Sequence, residues 1–540
     1  DYFSLDTDSF VPLYFKGRRK ILDLATSENS WKRIVEDLHN ESQEQIVQGS
    51  LEQNMLVLAG PGSGKSKVII HRCAYLMRVK LVDPKKILIL CYNHNAAVSL
   101  RRRLKNLLGR DGARVMVQTF HGLALSLSGY RVERKDNDEI DFENILLNAI
   151  KLLKGEETQL GLEAEEQREH LLGGLEFLLV DEYQDIDEQQ YQLIAALAGK
   201  NEAEDEVRLN LMAVGDDDQS IYGFRDANVR FIRLFESDYS ANIHYLTWNY
   251  RSTANIIACS NDLIAHNHER MKHEHPGVID IARQMLPTGG VWSALESSNG
   301  KVIIQHCNGA AQQAAEVVRQ IKFILQQQPH CSLEQIAILA RNGIDKNELV
   351  WVRSALADAE IPCRFSLDKN YGFPVRYCRE IEYFLDWLRQ QGLTPLTPDE
   401  LRQILPSQEE SNRWHNIIHD LIEQWELSQG NEPLPAAYFD HFIQEYLSSQ
   451  RRQVRFGNGV LLSTVHGVKG DEFEHVIILD GGWQNVLEQK PEIVEEERRL
   501  FYVGMTRAIS RLVIMCDDKL HNPHLALLNN DFVYHQYSQA

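Results

Sequence analysis

Along the chain, short runs of consecutive apolar residues alternate with longer stretches whose apolar positions recur at helical spacing. The uninterrupted runs are MLVLA at 55–59, KILIL at 86–90, LEFLLV at 175–180, LNLMAVG at 209–215, QIAILA at 335–340, HVIILD at 475–480 and RLVIMC at 511–516. A run without polar alternates has no solvent face, which is how a strand buried on both sides of a parallel sheet reads. Repeated strand and helix patterns predict an α/β protein with parallel sheets. No apolar run is long enough to cross a bilayer, so no membrane partner is expected.

Composition narrows this picture without redirecting it. At 540 residues the chain exceeds what one hydrophobic core organises, so at least two cooperatively folded cores are expected. A formal net charge of −20 excludes a protein that coats nucleic acid through a generally basic surface, leaving room only for a local basic groove. The eight cysteines are scattered, with no C-x-x-C pair and no secretory signal beside them, which points to buried thiols in a reducing cytoplasm. The run HNHERMKHEH at 266–275 has histidine spacing compatible with a metal, but a solvated helix end explains it as well.

The first apolar run leads directly into Ala59-Gly60-Pro61-Gly62-Ser63-Gly64-Lys65-Ser66, a phosphate-binding loop with Ala59 in place of the usual first glycine. Glycines at 60, 62 and 64 let successive N–H groups face one concavity. Lys65 reaches the terminal phosphates of a nucleotide, Ser66 can ligate Mg²⁺, and the following helix adds its positive end. The run at 175–180 ends in Asp181-Glu182. Beside a phosphate loop, Asp181 is placed to hold Mg²⁺ and Glu182 to polarise the attacking water. The alternative for the pair, a solvated acidic turn after a core strand, is disfavoured by the phosphate loop beside it. ATP and Mg²⁺ are therefore the expected cofactors.

Asp181-Glu182-Tyr183-Gln184-Asp185 and VGDDDQSIYGFRDA at 214–227 resemble the UvrD/Rep/PcrA family of superfamily 1 DNA helicases. Gln43, CYNHNAA at 91–97, QTFHGLA at 118–124, LTWNYRST at 246–253, STVHGVKGDEFEHV at 463–476 and EEERRLFYVGMTRA at 495–508 follow in the family's order. The resemblance implies two RecA-like P-loop cores with ATP in the cleft between them. It implies an N-terminal extension at 1–40, a first core at 41–121 and 177–245, and a second at 246–392 and 454–518. Helical insertions fall at 122–176 and 393–453, both shorter than the family's accessory subdomains, and a tail follows at 519–540.

By the same resemblance Gln43 reads the adenine edge, Arg72 sits near the base and Tyr250 stacks on it. Arg251 and Arg507 are arginine-finger candidates, Gln219 senses the γ-phosphate, and Glu472 touches the ribose or the terminal phosphate. Arg498 and Arg499 are expected in salt bridges at the core surface. Tyr92, Phe120, Tyr222 and Phe224 occupy positions like the family's base pockets, with His121, His466 and Lys469 toward the DNA backbone. Each aromatic taken alone is equally compatible with core packing.

The implied activity is ATP-dependent translocation 3′ to 5′ on single-stranded DNA, coupled to unwinding or protein displacement, at single-strand to duplex junctions. Two alternatives remain. A nucleotide-gated single-strand-binding translocase module of a larger protein, without robust unwinding, fits the short insertions; in it the N-terminal extension docks another domain or protein. A helicase fused to a nuclease needs more chain after the last core strand than the sequence provides.

Overall fold

The structure is a computed structural model. It describes residues 28–128, 142–157, 164–199, 209–223, 229–279, 284, 286–295, 297–342, 347–366, 379–392, 394–406, 415, 418–419, 421–423, 425–426, 433–440, 442–443, 455–456, 458–483 and 490–538. Two sheets dominate. The first is six-stranded and wholly parallel, in the spatial order Met116–Thr119, Ile87–Cys91, Phe177–Val180, Asn210–Gly215, Met55–Ala59, Asn242–Leu246.

The second sheet is eight-stranded, in the order Arg455–Phe456, Cys363–Ser366, Val460–Thr464, Ile336–Ala340, Phe473–Ile478, Ala508–Asp517, Val302–Cys307, Val533–Tyr537. Only its Cys363–Ser366 and Arg455–Phe456 pair is antiparallel. The fold is thus α/β with two RecA-like parallel-sheet lobes.

The apolar runs form these strands because both faces of each sheet are covered. Leu56 and Leu58 enter one hydrophobic cluster, while Met55, Val57 and Ala59 enter the cluster on the opposite face. Val302 and Ile304 likewise separate from Ile303 in the second sheet. A side-chain period of two assigns alternate residues to opposite cores, so every position of such a strand must be apolar.

Three stretches differ from the sequence expectation. Part of the 1–40 extension is core: Ile34, Val35 and Leu38 are buried in the first lobe, and Arg33 donates to the Leu107 carbonyl at 3.2 Å. The insertion at 393–453 is not purely helical, because Pro395–Leu396 pairs antiparallel with Leu434–Pro435. Its helix Pro398–Gln403 does begin with a capping box on Thr397 and Glu400. Residues 519–540, expected as a tail, contribute the edge strand Val533–Tyr537, parallel to Val302–Cys307.

The insertion carried by the second lobe packs on the first. One hydrophobic cluster runs from Phe120, Ile145 and Leu146 through Phe384, Leu388, Trp425 and Phe439. The Phe442 ring meets His94 edge-on at 4.5 Å. Among the described residues no helix is long and apolar enough to cross a membrane.

Candidate functional site

The carboxyl ends of the first sheet converge on the glycine turn. Strand Asn210–Gly215 lies between Phe177–Val180 and Met55–Ala59, so Asp216 emerges between Asp181 and Lys65. The turn needs glycine at two points. Gly62 and Gly64 have φ of 67° and 91°, the left-handed region. A Cβ on Gly62 would also lie 2.7 Å from the Asn249 amide and from Cβ of Arg251, and one on Gly64 would lie 2.9 Å from the Gln43 amide. Gln43 from the first lobe and Arg251 from the start of the second therefore pack directly against the loop.

Gln43 sits on the helix Glu41–Val47, whose N-cap Asn40 accepts from the Gln43 N–H at 2.9 Å. The Asn40 amide donates to the Tyr250 hydroxyl at 2.6 Å, which joins the two expected base contacts through one side chain. Gln43 donates through Nε2 to the Ser63 carbonyl at 2.9 Å, and its Oε1 is buried with no hydrogen-bond partner. A buried acceptor without a donor costs about 1–3 kcal/mol. The exocyclic amino group of an adenine is a donor of the right kind for it.

Arg72 is placed otherwise. Its guanidinium donates to the carbonyls of Val47, Gly49 and Ser50 at 2.7–2.9 Å. It anchors the chain that follows the Gln43 helix.

Asp216 is the hub at the phosphate end. It is fully buried, lies 3.6 Å from Lys65 Nζ, and accepts from Gln219 and Lys272. Gln184 carries this hub to the catalytic carboxylates: its Oε1 accepts from the Asp216 N–H at 2.9 Å and its Nε2 donates to Glu182 at 2.6 Å. Glu182 holds φ of 51°, costly for a residue with a Cβ, and its N–H donates to Asp181 at 3.0 Å.

Burial first, and the neighbouring Glu182 next, push the Asp181 carboxyl up to about 7. Burial also pushes Glu182 upward, but Lys65, Lys469, the Gln184 bond and Arg507 outweigh it and hold that carboxyl below its ordinary value. The pair is thus split into a carboxyl raised by burial and a base kept ionised.

The second lobe closes on this array. Arg507 is buried, donates to the Val503 and Asp471 carbonyls at 3.0 and 3.1 Å, and reaches Gln219 Oε1 at 3.4 Å. Burial lowers its pKa to about 10, which leaves it charged at neutral pH. Arg251 is ion-paired with Glu472 at 2.7 Å. Arg499 donates to the Ser220 carbonyl at 3.0 Å, which joins the lobes, and lies 4.0 Å from Glu495 in the expected kind of salt bridge, while Arg498 bonds His266 O and Asn267.

Of the expected DNA residues, one group from both lobes comes together. Tyr92 stacks on Tyr222 with centroids 5.8 Å apart and planes at 9°. His466 lies 6.4 Å from Tyr222, and Lys469 Nζ sits 4.8 Å over the same ring. Lys469 also donates to both oxygens of Asp185 at 2.6 and 2.7 Å and to the Gln219 carbonyl at 2.6 Å.

Phe120 is not in that group, since it is closed into the core at 1% exposure. His121 is pushed down to about 4 by burial, so its imidazole is uncharged at neutral pH. Phe224 lies outside the described residues.

Sequence reading overlooked Asn40, Asn249 and Lys272. Asn249 donates to the Pro61 carbonyl at 2.7 Å and accepts from the N–H groups of Arg251 and Ser252, which clamps the start of the second lobe to the loop. Lys272 and Arg270 leave the histidine-rich run to meet Asp216 and Asp218. Among the described residues the histidines of that run form no ligand cluster, and His275 stacks on Tyr245 at 3.8 Å.

Residues 43–225 match the family model of an AAA domain, and residues 244–392 and 375–519 match that of the UvrD-like helicase C-terminal domain. The chain belongs to the UvrD-like helicases, a class of ATP-hydrolysing DNA helicases. Among its relatives, the ATP-dependent DNA helicase PcrA of Staphylococcus epidermidis is 23% identical across 89% of this chain and 83% of its own length. The enzyme of that name from Leuconostoc citreum is 24% identical across 88% and 81%. DNA helicase II of Escherichia coli is 26% identical across 89% and 84%.

Proposed function

We propose that this chain is an ATP-driven motor that moves 3′ to 5′ along single-stranded DNA and couples hydrolysis to unwinding or protein displacement at single-strand to duplex junctions. The observation that carries the reading is Lys469. One ammonium touches the ring of Tyr222, the carboxylate of Asp185 and the backbone of Gln219. A base that enters the Tyr92 and Tyr222 stack displaces the cation on that ring. Through Asp185, three residues beyond Glu182, and through Gln219, the displacement reaches the hydrolytic carboxylates.

Gln43 and Tyr250 take the base, and the N–H groups of the turn with Lys65 take the phosphates. Ser66 and Asp181 would hold Mg²⁺, whose charge offsets that of the phosphates; the buried, upshifted Asp181 carboxyl fits a cation. Phosphate arrival competes with Asp216 for Lys65 and with Glu472 for Arg251, so both cations are released toward nucleotide. Glu182, ionised and fixed by Gln184, takes the proton of the attacking water. Arg251 and Arg507 stabilise the charge that develops on the transferred phosphoryl group, and Gln219 links them to the near half of the site.

A second reading rests on the contact between His94 and Phe442, which holds the short insertion against the first lobe. In it the chain is a translocase module without robust unwinding. Of the N-terminal extension expected to bind a partner, residues 1–27 lie outside the described ones.

A translocation assay on single-stranded DNA beside a strand-displacement assay on a 3′-tailed duplex tests both. ATP-dependent movement with displacement is the expected result. Movement without displacement favours the second reading, and no movement on either strand polarity overturns the proposal.

A further inference from the structure

At the far edge of the second sheet, away from the glycine turn, a set of ligand-type side chains shares one face. In the register of the three edge strands, Cys516 pairs with His306 and Tyr537 pairs with His306 from the other side. A side-chain period of two then puts Asp518 beside Cys516, and His535 beside Tyr537, on the face that carries His306. The distances agree. His306 Nδ1 lies 2.8 Å from an Asp518 oxygen, and His306 Nε2 lies 2.9 Å from His535 Nδ1. The Tyr537 ring stacks on the His306 imidazole at 4.4 Å with planes at 13°.

A ring nitrogen of His306, the Cys516 sulfur and an Asp518 oxygen all lie within 4.8 Å of one another. Zinc bonds of about 2.0–2.3 Å in a tetrahedron separate neighbouring ligand atoms by about 3.3–3.6 Å, so small side-chain rotations bring all three into range. Among the described residues one other such grouping, Asp216 to Asp218, differs in kind: it is already neutralised by Lys272 and Arg270. The edge cluster combines one imidazole, one thiol and one carboxylate, and it faces solvent on one side. Cys516 is half-buried, while Asp518 and His535 are exposed.

We propose that His306, Cys516 and Asp518 form a binding site for a thiophilic divalent cation of the zinc class. Thiolate and imidazole select such an ion over Mg²⁺, so this site is chemically distinct from the one that serves ATP. His306 binds through Nδ1, and its Nε2–H donates to His535, the kind of outer partner that fixes ring orientation at metal sites. Binding releases the thiol proton of Cys516 to solvent, shifts the His306 ring proton from Nδ1 to Nε2 by exchange with solvent, and replaces the hydrogen bond between His306 and Asp518 by two metal bonds. Three protein ligands leave one position for water or an added ligand. The bound ion cross-links Val302–Cys307 with the end of Ala508–Asp517 and, through His535, stiffens the edge strand Val533–Tyr537.

Titration of the metal-stripped full chain with Co²⁺ tests this by the near-ultraviolet thiolate-to-cobalt charge-transfer band. One equivalent of Co²⁺ is expected to produce the band and one equivalent of Zn²⁺ to erase it, with excess Mg²⁺ ineffective. Cys516→Ser abolishes the band, whereas Cys331→Ser leaves it intact. His535→Gln alters an exposed outer partner and is expected to keep the band while lowering affinity about 10–100-fold, and Asp518→Asn, which removes a ligand, lowers it at least as much. Absence of the band in the parent, its survival in Cys516→Ser, or parental affinity in both exposed variants overturns the proposal.

Discussion

Arg507 and Gln219, 288 positions apart in sequence, meet at 3.4 Å across the two lobes, and Gln219 passes the contact to Asp216 through its own amide. The link gives the far half of the site a mechanical hold on the near half. If the two residues act as a unit, removing either removes most of what both contribute. Arg507→Ala should lower kcat for ATP hydrolysis by on the order of 10³, the usual worth of such an arginine. Gln219→Ala should lower it less, and the double variant should be no slower than Arg507→Ala. Single-turnover hydrolysis measures all three; additive losses would show that the contact is incidental.

Base selectivity should rest on Gln43. Its buried Oε1 has no partner, and its Nε2 is already committed to the Ser63 carbonyl. Gln43→Ala removes the acceptor and should raise KM for ATP about tenfold, consistent with a lost buried hydrogen bond of about 1–2 kcal/mol. KM for GTP should hardly move. Competition between the two nucleotides in the parent and the variant checks the discrimination directly.

Stability without nucleotide should fall with rising pH through the titration of Asp181. Its carboxyl is pushed up from 3.8 to about 7, by burial first and Glu182 second. Between those values the folded chain keeps a proton that the unfolded chain has lost, so each step upward in pH costs folding free energy, and the loss is complete once pH passes the folded value. Asp185, raised to about 6 chiefly by burial, acts in the same direction. Urea unfolding across this range should show the decline in the parent and a shallower one in Asp181→Asn. Equal slopes would contradict the assignment.

Single-strand binding should depend on the face of Tyr222. Tyr222→Ala should weaken binding of an oligonucleotide by about 1–3 kcal/mol, the worth of one stacked base, while Tyr222→Phe should keep most of it. Fluorescence anisotropy with a labelled strand separates the two. Equal losses in both variants would assign the effect to the hydroxyl instead of the ring.

Much of the fold and part of the site were legible in the sequence, for identifiable reasons. The loop at 59–66 could be read because its backbone demands glycine at 62 and 64. Asp181 and Glu182 could be read because they end a run too apolar to be anything but a buried strand. Arg72 could not be read as an anchor, since its partners are main-chain carbonyls that carry no residue-type signal.

The roles of Lys272 and Arg270 were hidden for a different reason. Their acidic partners lie 52 or more positions away, in a segment whose histidines dominate its composition. The strand Val533–Tyr537 was missed because it is an edge, where exposed His535 and Tyr537 alternate with less exposed neighbours and break the apolar run. Asn40 and Asn249 act as two-ended hydrogen-bonding bridges, and such pairings appear only once the chain is folded.

The most direct test of the central claim, that the two lobes form one ATP site whose chemistry is governed by single-stranded DNA, is steady-state ATP hydrolysis with and without an oligonucleotide, for the parent and for Glu182→Gln. Strong stimulation of the parent by the oligonucleotide is expected. In the variant hydrolysis should fall by on the order of 10²–10⁴, the usual contribution of a general base, with nucleotide and DNA binding retained. A parent rate indifferent to DNA, or a Glu182→Gln variant that hydrolyses ATP at the parental rate, would contradict that claim.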